Sequence, residues 1–103
     1  MNAHDRRQLE SMKDQLDAYK SGRIDLDALI SSIESLLGVA ETISSGWLDE
    51  LRKHWGILEQ VYSVAIVQEK SVATPRNAVL VETAVMRMRA MIDEALRAAE
   101  DHE

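Results

Sequence analysis

A chain of 103 residues with a formal net charge of -6 has room for one domain and lacks the surplus of Lys and Arg that a nucleic-acid-binding face requires. It contains no cysteine, which excludes disulfides, thiolate metal sites and a cysteine nucleophile and leaves stability to packing. One proline, no phenylalanine and abundant Leu, Ala, Glu, Met, Arg and Lys make up the composition of an all-α bundle.

The opening stretch MNAHDRRQLE is polar and charged, with no apolar run behind it for a signal-peptide core or a membrane span. A cytoplasmic protein with no membrane partner is therefore expected. Leu9, Met12, Leu16 and Tyr19 alternate at spacings of three and four, which predicts a first helix over about residues 5 to 20. Ser21-Gly22-Arg23 follows, and its glycine suits the left-handed conformation that commonly ends a helix.

The second helix is expected over about residues 25 to 43. Asp25 can cap its free amides, and Ile24 can pack on Leu29 as a staple. Its apolar series is Leu26, Leu29, Ile33, Leu36, Ala40 and Ile43, widened by Ile30 and Leu37. Gly38 lies inside this stretch at a cost of about 1 kcal/mol relative to alanine, which leaves open a close helix contact or an early end.

Ser44-Ser45-Gly46 offers serine caps for a third helix over about residues 46 to 70, with the series Leu48, Leu51, Trp55, Leu58, Tyr62 and Ala65 inward. Thr74-Pro75 pairs an N-cap with a proline at the first helical position, where its missing N–H costs nothing, and starts a fourth helix over about residues 75 to 100. That helix should turn Val81, Ala84, Val85, Met88, Met91, Ile92, Ala95 and Ala99 inward, a face of small and flexible residues. With three short connections, the reading is a single domain over residues 1 to 103: an all-α, four-helix, up-and-down antiparallel bundle.

No residue set points to catalysis, a cofactor or a metal. Glu50 and His54 stand at i and i+4, a spacing at which two side chains can share a metal ion, but the inward positions that would complete a site are apolar. Asp49-Glu50 and Asp93-Glu94 are sequence neighbours, pointing about 100° apart on a helix, so they do not flank one substrate atom. The serines fall at helix ends and on an outer face, outside any Gly-x-Ser-x-Gly elbow, and no glycine-rich phosphate loop is present.

Charge distribution is the informative feature. Between Arg23 and Arg52 there is no Lys or Arg, while Asp25, Asp27, Glu34, Glu41, Asp49 and Glu50 all lie there. The remaining twelve acids balance the twelve bases of the chain, so this block carries the entire net charge. Asp27, Glu34 and Glu41 recur every seven residues and follow one line along the second helix. A surface tuned only for solubility usually mixes signs, so an unmixed line reads as a binding face. Trp47, beside these acids at the start of the third helix, is the aromatic suited to anchor a partner.

From Tyr19 to Ala65 the chain carries a Tyr-x-x-Gly-x-Ile-x-Leu-x-x-Leu opening (Tyr19, Gly22, Ile24, Leu26, Leu29) and a later Trp-Gly-x-Leu-Glu-x-Val-Tyr run (Trp55, Gly56, Leu58, Glu59, Val61, Tyr62). Over this stretch, under half of the chain, it resembles small all-helical immunity proteins encoded beside bacterial polymorphic toxins of the contact-dependent growth inhibition type. The resemblance implies an antitoxin whose partner is a cognate protein toxin, a nuclease being the expected activity. A nuclease cleft is basic because it binds phosphates, and an acidic inhibitor complements it. The alternative is a homo-oligomeric helical adaptor or structural protein, a homodimer in which Met88 and Met91 face a second copy.

Overall fold

The computed structural model describes residues 2–38, 43–67 and 75–101. These residues form four helices and no strand: α1 (Ala3–Lys20), α2 (Leu26–Leu37), α3 (Ser45–Val67) and α4 (Pro75–Asp101). No helix among them is long and apolar enough to cross a membrane.

Local chemistry sets the ends. Asn2 caps α1, its Oδ1 accepting the Asp5 amide at 2.8 Å, so the helix begins two residues before the apolar periodicity indicates. At the other end the Arg23 amide reaches the Ala18 carbonyl at 2.9 Å and the Gly22 amide reaches the Tyr19 carbonyl at 3.1 Å. This is the six-to-one and five-to-two pattern of a Schellman stop, with Gly22 at φ +82°. Asp25 then caps α2, its Oδ1 accepting from the Ala28 amide at 2.9 Å, and Ile24 is partly buried against the core cluster to which Leu29 belongs.

Helix α2 ends at Leu37 and not near Ile43, with Gly38 at its C-cap, its amide donating to the Glu34 carbonyl at 3.2 Å. Of the two outcomes open at Gly38, the early end is the one realised. A residue without a side chain adds little to helix propagation, and Ile43 and Ser44 already lie outside helix. Ser44 caps α3, its Oγ accepting from the Trp47 amide at 3.3 Å. Pro75 is the first residue of α4, as expected, while Ala40, Glu41 and the Thr74 cap fall outside the described residues.

The core takes Leu9, Met12 and Leu16 from α1, Leu29 and Ile33 from α2, Leu51 and Leu58 from α3, and Met88 and Ile92 from α4, all fully buried. Each helix packs on two others: α1 on α2 and α4, and α3 on α2 and α4. The apolar seams drift from a strict heptad. Leu37 is buried and Leu36 only half-buried, Val61 is buried and Tyr62 half-buried, and Leu96 is buried whereas Met91 and Ala95 are partly exposed. A straight helix turns by 3.6 residues, so a series extended at 3.5 slips by about 20° per heptad, which passes the inward position on to Leu37 and Leu96. In α3 the heptad Leu51, Leu58 and Ala65 stays buried, and the rotation of the whole helix turns Val61 in and leaves Leu48, Trp55 and Tyr62 at the edge.

Polar ties cross between helices. The Trp55 indole Nε1 donates to the Ile30 carbonyl at 3.0 Å, joining α3 to α2. Arg89 grips Asp17 with two hydrogen bonds, Nε to Oδ1 at 3.0 Å and Nη2 to Oδ2 at 3.3 Å, and Lys13 lies 3.6 Å from Asp93. Arg89 also forms an ion pair with Asp93, one turn along α4. Hydrogen bonding from Arg89 holds the Asp17 carboxyl below the usual carboxylate range, and the same bond raises Arg89 further. Burial raises the Tyr19 phenol.

Candidate protein-binding surface

The acids of α2 divide by role. Asp25 is committed to its helix cap, although its side chain stays exposed. Asp27 and Glu34 are exposed two turns apart on the solvent side of α2, opposite the buried Leu29 and Ile33, and Glu41 lies outside the described residues. Neither Asp27 nor Glu34 has an ion-pair partner among the described residues, whereas Asp17 and Asp93 of the α1–α4 side are both matched by bases. A run of like charge without counter-charges extends its potential into solvent, where it steers a basic partner.

At the start of α3, Trp47 is half-buried and Asp49 and Glu50 are exposed. Asp49 is unpaired among the described residues, but Glu50 is shared: Lys53 Nζ stands 3.2 Å from its Oε2 and His54 Nε2 3.8 Å from its Oε1. The line of unpaired acids therefore stops at Glu50. The opposite end of α2 carries Asp25 and Asp27, 19 and 17 residues before the α3 cap at Ser44, so the six expected residues that are described do not form one compact patch. They make a strip along α2 and a separate cluster at the first turns of α3.

That second cluster opens into a cleft of about 580 Å³ between α3 and α4, lined by Trp47, Glu50, His54, Arg87, Met91 and Glu94 among others. The His54 side chain is 15% exposed, and its Nδ1 is buried with no hydrogen-bond partner among the described residues. Glu50 and His54 do come together as their spacing requires, yet no group of three or more His, Cys, Asp or Glu able to hold a metal exists among the described residues. The contributions of Arg87, Met91 and Glu94 could not be read from sequence, because they reach Trp47 only through the packing of α4 on α3. The one available signal was the Glu50–His54 pair.

The chain matches no protein-family model, no curated protein and no solved structure at a significant level.

Proposed function

We propose that this chain is a protein-binding antitoxin, an immunity protein that neutralises a cognate nuclease toxin by presenting the acidic strip of α2 and the Trp47 cluster to a basic surface. The observation that carries the reading is the strip of exposed, unpaired carboxylates, Asp27 and Glu34, on a helix that has no base of its own. Such a strip speeds encounter with a cation-rich partner and fixes its orientation. Trp47 adds an aromatic whose exposed part can be desolvated on contact.

The scaffold for this surface is a bundle whose helices run up and down, each antiparallel to the next. Support comes from the cross-links between α1 and α4. Lys13 meets Asp93 and Asp17 meets Arg89, so residue numbers rise along one helix as they fall along the other. The ring of packing partners, α1 to α2 to α3 to α4 and back, agrees with that arrangement.

Changing Asp27, Glu34 and Glu41 to lysine tests the function. The triple change brings the formal net charge from -6 to zero and sets three cations against the partner, where like charges cost several kcal/mol, so affinity should fall by orders of magnitude, chiefly through slower association. Affinity for the toxin encoded beside the chain and survival of toxin-expressing cells are the readouts, with helicity by circular dichroism alongside. A triple variant that stays helical and still binds and protects like the parent sinks the proposal.

A further inference from the structure

The middle of the outer face of α4 is apolar, between the charged Arg76 at one end and Asp93, Glu94 and Arg97 at the other. With about 100° between successive residues, Val79, Thr83, Met86 and Ala90 fall within about 60° of one another, opposite the buried Val81, Val85, Met88 and Ile92. Val79 is 63% exposed and Met86 61% exposed, and Ala90 is open as well. The stripe is the line of α4 farthest from the core. It is distinct from the methionine face considered from sequence, since Met88 is fully buried among the chain's own helices and is not available to a second molecule.

The stripe is complementary to itself. In an antiparallel pair of identical helices related by a two-fold axis, residue i faces residue j when the two numbers share a constant sum. A register centred between Ala84 and Val85 sets Val79 against the partner's Ala90 and Thr83 against the partner's Met86, each a large residue over a smaller one. Arg76 and Glu94 lie five full turns apart, about 27 Å along the helix, both on the α3 side of the stripe and both exposed. In the same register, within about one residue, Arg76 comes to the partner's Glu94, and the symmetry makes this pair twice. Neither residue has an ion-pair partner among the described residues of its own chain.

We infer that α4 is a homodimerisation face, on which a second copy of this chain packs antiparallel through the Val79–Thr83–Met86–Ala90 stripe and locks register with paired Arg76–Glu94 bridges. The contact is narrow: a strip about 27 Å long and one helix, about 10–12 Å, wide falls well below the roughly 800 Å² per partner of a stable interface. The dimer is consequently weak and concentration-dependent. It leaves the acidic strip of α2 out of the contact but shares Ala90 and Glu94 with the Trp47 cleft, and its test reads self-association of the chain alone, which no toxin enters.

Sedimentation equilibrium of the full chain between about 10 and 500 µM in low salt tests this, since contacts of this size sit in the micromolar range or weaker. A monomer–dimer equilibrium is expected across that span. Met86→Lys, a change at an exposed position, should abolish it while helicity is retained. Arg76→Glu and Glu94→Arg, each placing like charges together at two symmetric points, should weaken it roughly threefold to tenfold, and the double reversal should restore the parent constant. A parent that stays monomeric at the highest concentration overturns the inference and leaves the stripe to a partner of different sequence. Dimerisation that survives Met86→Lys, or single charge reversals that the double variant does not rescue, overturns it equally.

Discussion

Leu58 is the most direct test of the packing. It is fully buried at the centre of α3, within the cluster that joins all four helices. Leu58→Ala removes three carbon atoms, worth about 0.8 kcal/mol each in transfer free energy, or roughly 2.4 kcal/mol. A cavity contribution follows, because helices held on both flanks collapse only partly, so the expected total is about 2.5 to 4.5 kcal/mol. A domain of this length has on the order of 5 to 15 kcal/mol in all, and each kcal/mol moves its midpoint by about 4 to 8 °C. The variant should therefore melt at least about 10 °C below the parent. Chemical denaturation followed by circular dichroism and tryptophan fluorescence gives the difference, with an unchanged slope showing that the two-state comparison is valid. Val64→Ala, at a position 45% exposed on the same helix, should cost less than about 0.5 kcal/mol. If Leu58→Ala costs no more than that control, Leu58 does not bear on the shared core and the described phase of α3 is refuted.

Two glycines should respond with opposite signs to the same substitution. Gly22→Ala meets no atom within 4 Å, but its φ of +82° makes a side chain cost about 1 to 2 kcal/mol, while Gly56→Ala, inside α3 and equally unobstructed, should stabilise by about 0.8 to 1 kcal/mol. Equal shifts in the denaturation midpoint would contradict the Schellman geometry. Asp17 has a lowered folded-state pKa, so its pairing stabilises the fold above the unfolded carboxylate value, near pH 4, and is lost as pH falls through the lowered value. Asp17→Asn should cost at most about 1 kcal/mol at pH 7, its carboxylate being 43% exposed, and parent and variant should converge as the pH falls below the unfolded carboxylate value near 4. A gap that persists undiminished at pH 2 would assign the loss to packing and not to charge.

Helix ends were legible along the chain because capping is local. Gly22, Asp25, Ser44 and Pro75 act within a few residues of themselves, so their positions announce the ends they make. Gly38 is legible as a weak point, but whether its cost is tolerated depends on packing that no local rule contains. The exposure of Asp27 and Glu34 was also readable, since charges displaced from an apolar seam face water. Most inward residues are readable from spacing, Leu16, Leu29, Ile33, Leu51, Leu58, Met88 and Ile92 among them, but the edges of the seams are not, because a helix's rotation is set by the two helices it touches: Val61 and Leu96 are buried where Tyr62 and Ala95 are partly exposed. The cleft that joins Trp47 and His54 to Arg87 and Glu94 brings together residues about forty apart in the chain, and the pairing of Asp17 with Arg89 spans 72. Such neighbours exist only once the core has closed, for it is burial of the shared apolar seams, and no preference of the residues themselves, that brings α4 against α1 and α3.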